Sequence, residues 1–523
     1  MKEIKPLRIL LVYPQMPDTF YALRHFVKII GKKAAFPPLG LLTVSAMLPQ
    51  NWERKLIDLN TTNLTDEDIR WADYVFLSAM NVQEHSVREI IERCKENNAI
   101  IVAGGPLFTH EYFRFEGVDH FVLNEAEITL PPFLEDLASG HPKPIYQSKD
   151  FADISKTPLP EFELVDMKKY VYSIIQYSRG CPYLCDFCDV TALFGRKPRT
   201  KSAEQVILEL DTLRKDNKTD LVLFADDNLI GNKKILKQEL LPALIEWRKK
   251  YKPNFYFATQ LTINLADDEE LMQMLLDAGF RNVFIGIETP DEVSLKASHK
   301  NQNLKRNINE IIQYLHSKGF TIAGGFIVGF DTDTAQSFGL QSRFINNSGI
   351  PLPIINILKA PPGTELFDRM KKEGRISKHF AFSEGETNIV PTMGEKQLLE
   401  GFLTLIDSVY SPQYSLERLK VYFKTRRYPK TNVRIHNPVR FEHIWMALRI
   451  IFFLGIMDKD RKYFWSLLIS TYRINSKYLD EAFLNATLIY QMKMGLETIK
   501  KQVNKQLKEA SETKHEVFND IAV

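Results

Sequence analysis

The chain has 523 residues, 44% hydrophobic and 25% charged, with a net charge of +3. This is ordinary globular composition with apolar mass for several domains, and the charge gives no reason to expect nucleic acid as a partner. Only four cysteines are present, three of them within eight positions; that excludes a disulfide scaffold and points to one metal site in a reducing compartment. No uncharged apolar run is long enough for a membrane span, and no cleavage pattern follows the short apolar stretch at the start, so neither a span nor a signal peptide is expected.

The segments RILLVYP (8–14), RKLIDLN (54–60), YVFLSAM (74–80), AIIVAGG (99–105) and HFVLNEAE (120–127) read as short buried strands. Helical apolar spacing in 39–48 and 86–95 falls between them. This α/β alternation predicts a doubly wound parallel sheet over residues 1–145, with any ligand outside the carboxyl ends of its strands. Residues 146–170 lack periodicity and read as a linker. From 171 to 395, candidate strands at 173–178, 220–225, 255–260, 282–288, 321–328 and 354–360 each precede a helical pattern. These units predict a (β/α)6 partial barrel, whose chemistry belongs at the carboxyl ends of the strands. The cysteines, Asp226 and Asp227, Glu288 and Gly329 all fall there. Residues 396–523 show no strand alternation and predict a helical C-terminal domain, with helices at 398–411, 441–456, 461–472 and 478–503 and a frayed polar end.

The chemistry concentrates in Ser178-Arg179-Gly180-Cys181-Pro182-Tyr183-Leu184-Cys185-Asp186-Phe187-Cys188. Three thiolates curling from one loop suit an iron–sulfur cubane with one iron left open. Zinc also takes clustered cysteines, but a closed zinc site needs a fourth ligand, and the loop holds no other Cys or His. Cys94, on an amphipathic helix elsewhere, reads as a small buried hydrophobe.

This CxxxCxxC loop after a first barrel strand resembles the radical S-adenosylmethionine (SAM) superfamily. The resemblance implies a [4Fe-4S] cluster on Cys181, Cys185 and Cys188, with SAM on the open iron. An electron from the cluster would cleave SAM to a 5'-deoxyadenosyl radical. Phe187 matches the aromatic position near the adenine. Asp226 and Asp227 stand where many members carry Gly-Gly-Glu for the SAM amino group; a turn or helix cap is the alternative for both. Glu288 resembles a SAM-contacting acid, and Gly325 and Gly329 resemble the glycines beside the adenine.

A doubly wound domain ahead of such a loop is similar to the cobalamin-binding branch of the superfamily. Phe36-Pro37-Pro38-Leu39-Gly40, the Gly104–Gly105 pair and Asn124-Glu125-Ala126-Glu127 match that branch in position. The resemblance implies cobalamin contacts at Pro38, Gly40, Met80, Gln83, Gly104, Gly105, Glu125 and Glu127; plain tight turns would use the same glycines. No Asp-x-His-x-x-Gly motif is present, so no protein imidazole is expected below the cobalt. His85 opens a helix and is expected to cap it or face solvent. Stretches such as GKKAAFPPLGLLTV, SAMNVQ, GGPLFT and DDNLIGNKK resemble the hopanoid C-2 methylase group and, more broadly, pigment methylases.

The resemblance implies a cobalamin-dependent methyltransferase acting on an unactivated carbon of a hydrophobic substrate, with an electron donor such as flavodoxin or ferredoxin. The alternatives are a cobalamin enzyme performing cyclisation or oxidation without methyl transfer, and a non-catalytic metal-binding adaptor. Residues 420–440 carry seven Lys or Arg and no acid, and an aromatic apolar segment follows. That pairing suits a cytoplasmic protein peripheral to the inner face of a membrane, or a basic loop before a buried core helix.

Overall fold

The computed structural model describes residues 6–19, 22–216, 221–377, 385–433 and 441–512. Six strands form the first sheet: β1 Arg8–Tyr13, β2 Glu53–Asp58, β3 Tyr74–Ser78, β4 Ile101–Gly104, β5 His120–Val122 and β6 Ile145–Tyr146. All pairs are parallel, in the order β2-β1-β3-β4-β5-β6. The order reverses beside β1, as in doubly wound folds. Apolar residues cover both faces: Leu10, Val12, Val75 and Leu77 on one, Ile9, Leu11, Phe76 and Val102 on the other. Parallel strands buried on both faces need such continuous apolar runs. Cys94 is fully buried in this core, as expected.

Two details differ from the sequence reading. The expected fifth strand stops at Val122, because Asn124 takes a left-handed backbone (φ 64°) and a helix starts at Ala126. β6 lies at the start of the presumed linker, where two residues give too little pattern to register. The rest of that segment is well anchored. Tyr170 Oη donates to Asp58 at 2.8 Å, and residues 33–35 pair with 169–172.

The second sheet contains β7 Ser173–Ile175, then, beyond a short antiparallel pair, β8 Ser178–Arg179 with β9 Arg199–Thr200, the strands β10 Leu221–Phe224, β11 Tyr256–Gln260, β12 Phe280–Glu288, β13 Thr321–Val328 and β14 Leu352–Ile357. Its order is β14-β13-β12-β11-β10-β7, all parallel and open at both ends: the expected partial barrel. The expected first strand, 173–178, is split by Gln176–Tyr177, which turns Ser178 and Arg179 out of the sheet and into the ribbon with β9. Five of the expected helices are Ala203–Asp216, Glu269–Ala278, Ile308–Lys318, Ala335–Ser348 and Glu365–Lys372. Helix Glu395–Tyr410 packs on Ala335–Ser348 and joins the barrel core through Leu398, Phe402 and Ile406.

The tail is helical. The sequence reading missed helix Pro412–Thr425, whose buried Leu416, Leu419, Tyr422 and Phe423 sit among lysines and an arginine. The last helix runs from Leu479 to Glu512, past the point where fraying was expected. Residues 434–440 of the basic stretch, and 513–523, lie outside the described residues. Among the described residues no helix is long and apolar enough to cross a membrane.

Candidate active site

The cysteine loop leaves the β8–β9 ribbon at Gly180, whose φ is +92°. A Cβ there would lie 2.9–3.1 Å from three carbonyl oxygens of residues 194–197, so only glycine fits. Two aspartates after β10 pin the loop. Asp226 is buried and accepts from Ser178 N and Oγ, both at 2.5 Å, and from Tyr177 N at 3.3 Å. Asp227 accepts from Gly180 N at 2.9 Å. Burial pushes Asp226 up to about 7 and Asp227 up to about 6, against the N–H donors that favour their charged forms. Asp226 therefore acts as a backbone brace, with both oxygens engaged by the loop. Asp227 holds the loop through a single oxygen, and both aspartates stand just beyond the carboxyl end of β10.

All three thiols are partly buried. Burial raises each of them above the usual thiol range. Opposing that, Asn228 Nδ2 approaches Cys181 Sγ at 3.9 Å and Gln302 Nε2 approaches Cys185 Sγ at 3.6 Å. These donors and the nearby Lys300 charge favour the thiolate form that metal ligation requires. Among the described residues, no three Cys, His, Asp or Glu side chains converge as a site for a single ion. In a cubane each thiolate binds a different iron, and a donor set of three thiols with N–H groups aimed at sulfur fits a cluster.

Glu288 ends β12 with a left-handed backbone (φ 65°) beyond a register shift against β13. Gln341 Nε2 donates to its carbonyl at 3.1 Å. Its carboxylate meets Lys300 Nζ at 2.6 Å, and both side chains are 9% exposed. Burial opposes the Lys300 charge, but Glu288 and Cys185 outweigh it and hold the amine above its ordinary range. Gly286 makes the pair possible: a Cβ there would lie 2.3 Å from Glu288 Oε1 and 2.9 Å from Lys300 Nζ. Lys300 also stands 6.0 Å from the Phe187 ring, which meets Phe330 edge-on at 6.2 Å. Gly325 and Gly329 have local reasons to be glycine. A Cβ on Gly325 would lie 2.9 Å from Phe284, and Gly329 has φ +97° with its N–H bound to Asp333.

On the first sheet, the expected contacts divide. Gly40 is exposed with nothing within 4 Å of a Cβ, and Met80 is 41% exposed, so these two face free space; Pro38, beside Gly40, is buried. Gln83 is buried and braces the loop, accepting from Met80 N at 2.8 Å and donating to Pro14 O at 2.6 Å. Gly104 and Gly105 are explained by close backbone approach to Val122 O and by φ +91°. His85 faces solvent, as expected.

Glu125 and Glu127 are engaged by two arginines of the ribbon that carries the cysteine loop. Arg179, two residues before Cys181, donates to Glu125 at 2.9 Å and to Glu127 at 2.8 and 3.1 Å. Arg199, across the ribbon, donates to both oxygens of Glu125 at 2.9 and 2.8 Å. Ala152 N and Thr157 Oγ1 complete the two carboxylates, each at 2.8 Å. Burial works against the Glu127 charge, but Arg179 outweighs it and holds the carboxyl below its usual range. The two glutamates thus clamp the cysteine loop to the carboxyl edge of the first sheet. Beside the clamp, Asn81, Leu107, His110, Asp189, Leu193 and Pro361 line a crevice between the two sheets. His110 Nε2 is buried there without a partner, and burial pushes the imidazole down. A separate cleft lies among the C-terminal helices, lined by Leu416, Leu454, Phe464 and Ile489, with no residue from either sheet.

Arg179, Arg199, Asn228, Gly286, Lys300 and Gln302 were missed in the sequence. Arg179 adjoins the cysteines and was within reach; the others signal themselves only through the fold.

Comparison with known proteins agrees with this layout. Residues 32–134 match the B12 binding domain, 175–339 the radical SAM superfamily and 364–505 a domain of unknown function, DUF4070. An uncharacterized methyltransferase of Synechocystis sp. is 35% identical over 464 residues, covering 88% of this chain and 86% of that protein. Hopanoid C-2 methylase of Rhodopseudomonas palustris is 33% identical over 467 residues, 88% of each. The solved structure of the cobalamin-dependent SAM radical enzyme OxsB, with aqua-cobalamin and SAM bound, superposes with a TM-score of 0.60 at 16% identity, covering 98% of this chain and 82% of that one. The cofactors of the matched families are a [4Fe-4S] cluster, SAM and cobalamin. With two domain families in the order the fold predicts and relatives above 30% identity over most of its length, the chain belongs to the cobalamin-dependent radical SAM methyltransferases.

Proposed function

We propose that the protein methylates an unactivated carbon of a hydrophobic substrate, of hopanoid, isoprenoid-like or pigment type. The observation that supports this most is the clamp of Arg179 and Arg199 on Glu125 and Glu127, which fixes the cysteine loop against the sheet edge of the B12 binding domain. On this reading Cys181, Cys185 and Cys188 hold the cluster. Phe187, Asp227 and the Glu288–Lys300 pair meet SAM, and Pro38, Gly40 and Met80 line the cobalamin side. When bound, the cluster supplies the electron that cleaves SAM, and cobalamin carries the methyl group.

The chain's own residues orient these groups. Asp226 and Asp227 fix the loop backbone before Cys181. Asn228 and Gln302 turn N–H groups to two of the sulfurs. Lys300 sets a fixed positive charge beside them, where a substrate carboxylate such as that of SAM would be drawn. Leu107, Leu193 and Pro361 give the crevice apolar walls beside its polar groups Asn81, His110 and Asp189. The electron donor would be a small protein of the flavodoxin or ferredoxin type.

Anaerobic reconstitution tests the reading. The wild-type protein should release both 5'-deoxyadenosine and S-adenosylhomocysteine. Cys181→Ala, Cys185→Ala and Cys188→Ala should each abolish reductive SAM cleavage; full activity in any of them would sink the cluster assignment. 5'-Deoxyadenosine without S-adenosylhomocysteine would favour cyclisation or oxidation, and no cleavage at all an adaptor.

A further inference from the structure

Helix Phe441–Ile450 continues through a π-helical turn, Ile451–Met457, and helix Arg461–Asn475 folds back against it. Trp465 Nε1 donates to Gly455 O at 3.0 Å and ties the hairpin together. One side is packed. Ile450, Leu454, Phe464, Leu467 and Leu468 are buried in a cluster with Leu419 and Tyr422 of helix Pro412–Thr425 and Ala482 of the last helix.

The other side has no cover. Phe441, Ile444, Trp445, Leu448, Phe452 and Ile456 recur every three or four residues and are 49–71% exposed. Trp465, Ile469 and Tyr472 repeat that spacing on the second helix at 41–64%. Such spacing places each set on one stripe. Single exposed apolar residues need no explanation, but a contiguous stripe of this size on a soluble surface marks an interaction face. Arg449 does not interrupt it. Its guanidinium is turned aside onto the Ile29 and Lys28 carbonyls, at 2.9 and 2.8 Å, at the end of helix Arg24–Ile30.

Charge identifies the occupant. Lys459, Arg461 and Lys462 are exposed at the hairpin turn, and Arg473 and Lys477 at the far end of the second helix. The acids of the turn, Asp458 and Asp460, are both held by Lys493, at 2.7 and 2.6 Å. Within 441–475 that leaves Glu442 as the exposed carboxylate. Two tryptophans and a tyrosine in an apolar stripe, with cations at both ends, suit the headgroup region of a bilayer and not a dry protein interface. We propose that this hairpin docks the protein on an anionic membrane surface, lying in the plane of the interface with its aromatic stripe among the headgroups. The docked face adjoins helix Arg24–Ile30, which leads into Pro38 and Gly40. The proposal stands apart from methyl transfer and is tested without turnover.

The full-length holoenzyme is floated with vesicles of phosphatidylcholine containing phosphatidylglycerol, and with phosphatidylcholine alone. The account expects flotation with the anionic vesicles, at least about tenfold weaker on the neutral ones, since several cations each contribute to attraction. Tryptophan emission should shift to the blue on the anionic vesicles. Trp445→Glu combined with Ile469→Glu should abolish flotation while iron and cobalamin content and thermal unfolding stay unchanged, because both side chains are exposed. Wild-type protein that stays unbound, or a double variant that floats as well as wild type, would overturn the proposal. So would an unbound wild-type dimer that the double variant splits, which would assign the stripe to a second copy.

Discussion

Lys300 and Glu288 form a nearly buried ion pair within reach of the cysteines, and Gly286 leaves room for it. Lys300→Met removes one partner and strands the other carboxylate. It should destabilise the protein by about 3–5 kcal/mol, whereas Lys300→Met with Glu288→Gln should recover most of the loss, because an absent pair is far cheaper than a broken one. Denaturant unfolding of the variants checks this; equal stability of the single and double variants would show that the pair is not coupled. At this scale the sequence was partly legible. The cysteines and Glu288 identified themselves by spacing and by their place at strand ends. The arginine partners of Glu125 and Glu127 were not legible, because a carboxylate at a sheet edge looks the same whether or not an arginine from a distant loop reaches it. The bonds of the Gln83 amide to Met80 and Pro14 were hidden for a related reason. Lys300 gave no signal, since it lies 12 residues beyond Glu288 in an irregular turn and meets it only because helix Glu292–Ala297 brings the chain back.

Among the elements, the join between barrel and tail carries a pH dependence. His316 is fully buried on helix Ile308–Lys318, with Nδ1 at 3.0 Å from Phe320 O and its ring edge-on to Tyr422 of helix Pro412–Thr425. Burial lowers its pKa from 6.5 to about 4. A depressed folded value means the contribution is fully present above the unfolded pKa and is lost as pH falls through the folded one. Stability should therefore drop by up to about 3 kcal/mol between pH 6.5 and 4 on account of this group, the free-energy equivalent of the shift. Comparing thermal unfolding of the wild type with His316→Gln across that window checks it; parallel curves would remove His316 as the cause. The same join shows why one element escaped detection. Helix Pro412–Thr425 buries Leu416, Leu419, Tyr422 and Phe423, but Arg418 is also buried, donating to the Ile350 and Val409 carbonyls at 2.9 Å. A buried arginine breaks the apolar period that would have announced the helix. The barrel strands were easier, because six parallel strands buried on both faces leave continuous apolar runs.

Over the whole molecule, the two open α/β sheets turn their carboxyl edges toward one crevice, and the buried arginine–glutamate clamp holds them there. The alternation of strands and helices made both sheets legible, but their mutual orientation was not, since it rests on side chains some 50 to 75 residues apart in sequence. One arrangement brings a cluster loop and a cobalamin-type sheet edge together, and the central claim is that a methyl group passes between them to a hydrophobic acceptor. Anaerobic turnover of the holoenzyme with SAM deuterated in its methyl group, in the presence of a lipid extract, tests that claim directly. The account predicts a lipid product whose mass has risen by one deuterated methyl group in place of hydrogen, with S-adenosylhomocysteine and 5'-deoxyadenosine both formed. Abundant 5'-deoxyadenosine with no labelled product and no S-adenosylhomocysteine would contradict it.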